Sequence, residues 1–394
     1  MQSVLILTAG YGEGHNSAAA GLKGAFDSLE GVRAEVLDPC GPALGSFYQR
    51  SRRGYLRMVH ETPWMWSLLY TLLNQFPRLL GNAYRFLRPL TAELVKALQR
   101  VRPAAVVSVY PVYGYILKAA AKKAGLPGLK SFVLITDSIS VNAIWHRCDA
   151  DAFLVPNEDT AIVLRAAGVA PEKIAVTGFP VSPRFAQPAP ERPHPGNGVK
   201  PRVLLMVHGE PKRALPLVER LLRELDLELT VSVGRDALLG EALAAMAGRM
   251  GKALQVLGWV ADFPTLLRSQ HVLIGKAGGA TVQEALAAHT PMLLTQILPG
   301  QETGNARLLL QYGCGAHVPT SEAVVRVLTQ LFQNGAEAWH RMHRNGIALG
   351  RPEAALFNAR WILEQISPPS AAPPPFGIRA DKAAPRPDGE GAAD

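Results

Sequence analysis

Short runs of apolar residues recur along the chain up to about residue 365, and segments of helical length separate them. Runs of roughly four to eight apolar residues are typical of strands buried on both faces of a sheet. Strands that alternate with helices of roughly ten to fifteen residues indicate an α/β protein with parallel sheets. We predict strands at 4–7, 34–37, 104–109, 131–136, 203–207, 229–233, 254–260, 272–274 and 291–297.

A proline-rich segment divides this pattern into two halves. Residues 185–201 combine proline with polar residues and offer little to bury, so we interpret them as a linker. The linker separates an N-terminal domain, 1–184, from a C-terminal domain, 202–350, and two domains are the expectation for 394 residues. We predict a closing helix at 351–366 and a disordered Pro- and Ala-rich tail at 367–394.

The composition is that of a globular protein, with 48% apolar and 19% charged residues. A net charge of +9 favours an anionic partner, but charge alone does not distinguish nucleic acid, acidic lipid and a phosphorylated substrate. Cys40, Cys148 and Cys314 have neither metal-ligand nor redox spacing, which favours free thiols in the cytoplasm. The chain begins with a strand and without a basic region or cleavage site, so we expect no secretory signal.

The composition changes between residues 47 and 89. This segment holds nine of the 27 aromatic residues and seven arginines, but one acidic residue, Glu61. Its longest uncharged stretch, 62–77, is too short to cross a bilayer and suits a helix at a lipid surface, with rings at headgroup level. Core helices with a basic edge are an alternative, and nucleic acid fits the arginines without the support of a recognition motif. The residues that we expect at an anionic membrane surface are Trp64, Trp66, Arg52 and Arg53.

Two glycine-rich turns in the second half each precede a helix. The first, 276–279, follows the strand that ends at Ile274, and the second, 299–305, follows the apolar run that ends at Ile297. Free N–H groups and the dipole at a helix N-terminus suit phosphate, and glycine lets the backbone approach it closely. Glu284 falls about one turn into the first helix, where a carboxylate reaches ribose hydroxyls. The pair of turns therefore indicates a nucleotide site.

A third glycine loop follows the first strand. Gly10, Gly12 and Gly14 precede His15 at the carboxyl end of that strand, which is where open α/β sheets bind ligands. His15 either caps the following helix or takes part in chemistry. Its place directly after three loop glycines favours the chemical role.

These motifs resemble a known family. The sequence KAGGATVQEAL at 276–286, followed by PGQETGNAR at 299–307, is similar to the nucleotide-sugar site of family 28 glycosyltransferases. The branch that it resembles is that of the monogalactosyldiacylglycerol synthases and processive diacylglycerol glucosyltransferases. The Gly-His loop and Asp137 with Trp145 downstream are also similar to that family. The segment 173–185 resembles the strand that ends the family's first domain. The chain departs from the family pattern at Glu13, Asn142 and the loop at His208.

The resemblance implies a GT-B fold, which is an α/β architecture of two Rossmann-like domains whose parallel sheets face a central cleft. It places the acceptor on the first domain and the UDP-sugar on the second. The implied reaction is the inverting transfer of a hexose from the UDP-sugar to a membrane lipid, either diacylglycerol or glycosyl-diacylglycerol. The protein is then expected in the cytoplasm, bound peripherally to the inner face of the cell membrane, without a nucleic-acid partner.

The resemblance also implies the residues of the site. His15 is expected to be the general base that acts on the acceptor hydroxyl. Donor binding is expected at Gly14, Gly234, Arg235, Val260, Lys276, Gly278, Gly279, Glu284, Gly300, Gln301, Glu302 and Asn305. Of these, Gln301, Glu302 and Asn305 are expected to hydrogen-bond the sugar hydroxyls. Asp137 and Trp145 are expected at the acceptor side.

The donor loops contain no Asp-x-Asp pair of the kind that binds a metal. Asp149 and Asp151 form such a pair in the first domain, where we interpret them as structural or solvated, so we expect catalysis without a metal or another cofactor. Three alternatives remain: a lipid-pyrophosphate N-acetylglucosaminyltransferase, a nucleotide-sugar epimerase of similar architecture, and a non-catalytic lipid- or nucleotide-binding protein. The aromatic and basic segment argues against the first, and the epimerase needs no membrane surface.

Overall fold

The computed structural model describes residues 2–75, 87–188, 192–196, 198–207 and 211–367. The loop at His208 lies outside these residues, as does the predicted tail beyond Ser367. In the described part of the chain, no helix combines the length and the apolar character that crossing a bilayer requires.

The first domain is a six-stranded sheet with helices on both faces. The strand order is β2-β1-β3-β4-β5-β6, and all five pairings are parallel. The strands are β1 Gln2–Leu7, β2 Val32–Leu37, β3 Ala105–Ser108, β4 Lys130–Leu134, β5 Ala152–Val155 and β6 Ile174–Val176. The helices are α1 Glu13–Asp27, α2 Cys40–Glu61, α3 Pro63–Gln75, α4 Arg88–Val101, α5 Leu117–Lys123 and α6 Glu158–Ala166.

The second domain repeats this design. Its sheet has the strand order β12-β11-β10-β7-β8-β9, again with parallel pairings. The strands are β7 Arg202–Met206, β8 Glu228–Ser232, β9 Gln255–Leu257, β10 Val272–Lys276, β11 Met292–Gln296 and β12 Gly315–His317. The helices are α7 Pro211–Glu224, α8 Ala237–Arg249, α9 Phe263–Arg268, α10 Gly279–Ala287, α11 Gln301–Gln311, α12 Ser321–Phe332, α13 Glu337–Leu349 and α14 Ala354–Ile366. The prediction of parallel sheets in both halves is confirmed.

The last helix, α14, returns to the first domain. The Asn358 amide donates to the carbonyl oxygens of Thr177 and Gly178, and its Oδ1 accepts from the Thr177 hydroxyl at 2.7 Å. Trp361 packs edge-on against Phe132, with ring centroids 5.6 Å apart. The helix therefore ties the end of the described chain to the first domain.

Candidate active site in the interdomain cleft

His15 lies in the first turn of α1, at the carboxyl end of β1. Its Nδ1 is 3.3 Å from Thr136 Oγ1, and its ring contacts Tyr110 edge-on at 5.2 Å and Trp145 at 5.8 Å. The side chain is half-buried among these groups. Burial lowers the pKa of His15 to about 4, and a hydrogen bond to the backbone of Val109 opposes this shift in part. The imidazole is therefore neutral at neutral pH and can accept a proton.

Asp137 and Trp145 lie beside this histidine. The Trp145 indole N–H donates to Asp137 Oδ2 at 2.9 Å, and Trp145 is buried. Burial raises the pKa of Asp137 to about 6; the bond from Trp145 lowers it and the nearby Glu302 charge raises it further. The two residues predicted at the acceptor side thus lie together next to His15, with Trp145 as a buried wall of the site.

A hydrogen-bond network that was not predicted from the sequence holds the first glycine loop. The Gly10 N–H donates to Tyr48 Oη at 2.6 Å, and the Tyr48 hydroxyl donates to Asp38 Oδ2 at 2.5 Å. A Cβ on Gly10 would lie 2.9 Å from Tyr48 Oη and 3.5 Å from Arg52 Nε. Arg52, predicted at a membrane surface, instead turns inward beneath the loop, where its Nε is buried, whereas Arg53 is exposed.

The second domain presents its glycine turn directly to this loop. Gly278 and Gly279 form the N-terminus of α10, and a Cβ on Gly279 would lie 2.9 Å from the Thr136 carbonyl oxygen of the first domain. A Cβ on Gly14 would lie 4.0 Å from the backbone N of Ala280. The structure therefore brings the two predicted loops together across the cleft.

Lys276 and Glu302 form an internal ion pair in the second domain. Lys276 Nζ lies 3.0 Å from Glu302 Oε1, and the Leu298 N–H donates to Glu302 Oε2 at 3.0 Å. Glu302 is 2% exposed. The expectation that Glu302 bonds the sugar hydroxyls does not hold, because both carboxylate oxygens are engaged inside the protein.

Asn305 is likewise buried and fully engaged within the protein. It is 1% exposed; its amide donates to the Ala277 carbonyl oxygen at 3.2 Å, and its Oδ1 accepts from the Ser138 N–H at 3.1 Å. Asn305 thus links the two domains and does not present a group to a sugar. Beside it, a Cβ on Gly304 would lie 1.9 Å from the Ser138 carbonyl oxygen, so α11 packs directly on the first-domain backbone.

Gly300 and Gln301 begin α11 and contact the first domain through two tyrosines. A Cβ on Gly300, whose φ is +90°, would lie 3.1 Å from the ring of Tyr70. The Tyr55 hydroxyl donates to Gln301 Oε1 at 3.3 Å. Neither tyrosine was identified from the sequence, since nothing in the local pattern shows that α2 and α3 reach this loop.

Comparison with known proteins assigns the chain to an enzyme class. The family model described as monogalactosyldiacylglycerol (MGDG) synthase matches residues 15–181. A probable monogalactosyldiacylglycerol synthase 3 of Oryza sativa subsp. japonica is 27% identical over 382 residues, 92% of this chain and 74% of that protein. The processive diacylglycerol beta-glucosyltransferase of Bacillus subtilis (strain 168) is 27% identical over 359 residues, 87% of this chain and 90% of that protein. The protein is a glycosyltransferase related to these enzymes.

Solved structures show the fold of this glycosyltransferase. The S. aureus MnaA–UDP co-structure superposes with a TM-score of 0.62 at 14% identity and covers 96% of this chain and 100% of that one. The structure of Acinetobacter baumannii MurG gives 0.59 at 16% identity, with 92% and 100% covered. With the two parallel sheets described above, these likenesses confirm the predicted GT-B fold.

Glu284 of the glycosyltransferase bridges the cleft in this structure. The Ser17 hydroxyl of α1 donates to Glu284 Oε1 at 3.1 Å. Burial raises the pKa of Glu284 from 4.5 to about 7, and the hydrogen bond from Ser17 opposes the shift. The carboxyl group lies within the cleft, one turn into α10, as the sequence predicted.

The raised pKa of Glu284 predicts a pH-dependent stability. A group with a raised folded-state pKa contributes stability that is complete below its unfolded pKa of 4.5 and is lost as pH rises through about 7. Glu284→Gln does not titrate, so its free energy of unfolding relative to wild type should rise by about 1 to 2 kcal/mol from pH 5.5 to pH 8. Urea unfolding at the two pH values measures this. Glu241→Gln, at an exposed position of α8, is the control, and an equal change in both variants would contradict the assignment.

Gly234, Arg235 and Val260 lie at the carboxyl ends of β8 and β9. The Arg235 guanidinium lies over the ring of Trp259 at 5.3 Å, and both side chains are exposed. A cation–π contact at an exposed site contributes roughly 0.5 to 1 kcal/mol, which orders the arginine without burying it. These residues line the far part of the second-domain face.

A cavity of about 320 Å³ opens beside Lys276 at the carboxyl ends of β7, β10 and β11. Its polar lining comes from Arg213, Lys276, Thr295, Gln296, Thr320 and Ser321.

In the part of the chain that the structure describes, no three His, Cys, Asp or Glu side chains are grouped to hold a metal ion. Asp149 pairs with Lys118 of α5 at 2.9 Å, and Asp151 accepts from the Ser131 N–H of β4 at 2.8 Å.

The helix α3 has two different faces. Trp64, Met65, Leu68, Leu69 and Leu72 are exposed on the outer face. Trp66, predicted at the membrane with Trp64, lies on the inner face and packs edge-on against Tyr55, with centroids 5.1 Å apart. Asn142, a departure from the family pattern, is 4% exposed and donates to the Tyr70 carbonyl oxygen at 3.0 Å, which holds α3 in place.

Proposed function

We propose that this glycosyltransferase moves a hexose from a UDP-sugar to diacylglycerol or glycosyl-diacylglycerol, with inversion at the anomeric carbon. The observation that carries the proposal is the contact between the loop that leads to His15 and the N-terminus of α10, where a Cβ on Gly14 would lie 4.0 Å from the Ala280 N. The relatives' names supply the lipid acceptor, and a UDP-bound structural neighbour is consistent with the donor.

His15 is the proposed general base. As the acceptor oxygen bonds to the anomeric carbon, its hydroxyl proton passes to the imidazole, and the bond from that carbon to the UDP oxygen breaks. A single displacement inverts the configuration, so an α-linked UDP-sugar gives a β-glycoside. Asp137, held by the Trp145 indole, lies next to this base and fixes the acceptor side of the pocket.

The leaving UDP meets the second domain. The N–H groups of Gly279 and Gly300 lie at the N-termini of α10 and α11, which favour negative charge, whereas the Gly278 N–H donates to the Lys276 carbonyl oxygen at 2.9 Å. Lys276 adds a cation that Glu302 already balances in part. The cavity beside Lys276 offers space for part of the UDP next to the second domain. We propose that Glu284 bonds the ribose and that the backbone at Val260 meets the base, with no metal or cofactor required.

The outer face of α3 is the proposed membrane contact. Five large apolar side chains on one exposed helix face, with Arg53 and Arg57 exposed on the preceding helix, suit insertion among anionic headgroups at the inner face of the cell membrane. Trp64 is 67% and Leu68 is 56% exposed. This surface brings the lipid to the same domain that carries His15.

Anionic vesicles that contain diacylglycerol test the proposal. The purified protein is incubated with them and, in turn, UDP-glucose, UDP-galactose, UDP-glucuronate and UDP-N-acetylglucosamine, with and without EDTA. Lipid products are identified by mass spectrometry, and their anomeric configuration is determined by NMR. A β-glycosyl lipid from one hexose donor, formed equally with EDTA, is expected. An α-linked product overturns the inverting scheme, loss of all activity with EDTA overturns metal independence, and conversion of the UDP-sugar without a lipid product indicates an epimerase.

The same vesicles test the membrane surface. Leu68→Glu should reduce both co-sedimentation and lipid glycosylation. Leu238→Glu replaces a leucine that is 78% exposed on the second domain and should change neither. Equal behaviour of the two variants would remove α3 from the membrane contact.

A further inference from the structure

Two tyrosines of the first domain contact the donor loop of the second. Tyr55 of α2 bonds Gln301 over a sequence separation of 246 residues, and Tyr70 of α3 packs against Gly300. Because Gly300 and Gln301 begin α11, these contacts act on the side chain and the backbone of the same turn.

Tyr55 is fixed in position and keeps its proton. Its ring packs edge-on against Trp66 at 5.1 Å and Tyr11 at 5.9 Å. Burial raises the pKa of Tyr55 to about 12, while the bond to Gln301 lowers it in part, so the phenol is protonated at neutral pH. The hydroxyl therefore offers the Gln301 amide a fixed hydrogen-bonding partner.

Tyr70 is fixed as firmly. Its hydroxyl donates to the Ser140 carbonyl oxygen at 3.1 Å, and the Asn142 amide donates to the Tyr70 carbonyl oxygen. A Cβ built on Gly300 would lie only 3.1 Å from the ring of Tyr70. The φ of +90° at Gly300 also disfavours any residue other than glycine. The ring thus restrains the turn from which the Gln301 side chain projects.

We infer that Tyr55 and Tyr70 set the sugar selectivity of the enzyme by orienting Gln301. The inference rests on the proposed function, in which Gln301 hydrogen-bonds a sugar hydroxyl. Donor hexoses such as glucose and galactose differ in the direction of one hydroxyl, and a fixed amide favours one of them because the wrong epimer leaves the amide unpaired. Tyr55 and Tyr70 are positioning residues, since neither is required to touch the sugar.

A double-mutant cycle tests the inference. Tyr55→Phe keeps the ring and removes the hydroxyl, so the ratio of kcat/KM for the preferred donor to that for its 4-epimer should fall by about three- to tenfold, the effect of one hydrogen bond. Inhibition by UDP, which lacks the sugar, should not change. In a Gln301→Ala background, Tyr55→Phe should have no further effect on the ratio, because the two residues act as one unit.

Tyr312→Phe is the matched control. The Tyr312 hydroxyl donates to Asp159 Oδ2 at 2.8 Å and also joins the two domains, but at a distance from the donor loop. Its removal should leave the donor ratio unchanged. An unchanged ratio in Tyr55→Phe, or an equal fall in Tyr312→Phe, overturns the inference. A wild-type protein that transfers no hexose at all overturns the proposed function instead, and the inference with it.

Discussion

Replacing His15 with alanine should reduce glycosyl transfer by about 100- to 10,000-fold, the usual contribution of a general base. UDP binding should stay near the wild-type value, since the proposed UDP contacts lie on the second domain and the side chain of His15 contacts Thr136, Tyr110 and Trp145 of the first. Initial rates with the lipid acceptor, combined with calorimetric titration of UDP, measure the two effects separately.

His317→Ala is the control for this experiment. His317 is exposed on β12 of the second domain, so its loss should affect neither transfer nor UDP binding. Turnover retained in His15→Ala would remove His15 from its catalytic role. A non-catalytic lipid- or nucleotide-binding protein would bind UDP and show no transfer in either form.

Gly304→Ala should lower transfer by roughly 100-fold, the scale of effect that a displacement of about 1 Å has on a reacting geometry. The added Cβ would lie 1.9 Å from the Ser138 carbonyl oxygen and 2.3 Å from the Ser140 N, and both are backbone atoms of the other domain. Such overpacking costs about 1 to 3 kcal/mol, which exceeds the helix-propensity gain of up to about 1 kcal/mol from alanine. Urea unfolding and transfer kinetics measure the two consequences.

Gly248→Ala supplies the matched control. Gly248 is also a helical glycine of the second domain, but it is exposed and a Cβ there meets no atom within 4 Å. The control should gain up to about 1 kcal/mol of stability and keep its activity. Normal transfer by Gly304→Ala would show that α11 moves away from the segment 138–140 without consequence for catalysis.

The burial of the acidic and amide residues in the second turn was not predicted from the sequence. Glu302 and Asn305 follow a glycine turn in a motif that resembles a sugar site, yet both are buried and bond to backbone groups. A helix fixes the angle between successive side chains, but what the helix packs against decides which of them are buried. Here the packing surface includes Ser138 of the other domain. Gln301, one position before Glu302, remains at the cleft surface.

In the aromatic and basic segment 47–89, too, the sequence predicted the elements but not which side chains are buried. Its composition predicted apolar helices, and α2 and α3 cover 40–61 and 63–75. Trp64 and Trp66 differ by two positions, which places them about 200° apart around a helix, so one faces outward and the other packs on Tyr55. Composition alone does not assign the two faces, because that assignment depends on what the helix packs against.

The strands with strong apolar runs, the parallel arrangement of both sheets and the positions of the three glycine loops follow from the amino-acid sequence alone. These features are local, since buried strands need consecutive apolar residues and close backbone approach needs glycine. The short strands β5 and β12 were not predicted. Which polar side chains face the cleft depends on tertiary packing. The contacts of Tyr55 with Gln301 and of Ser17 with Glu284 could not be predicted locally, because they form only when two distant parts of the chain pack together.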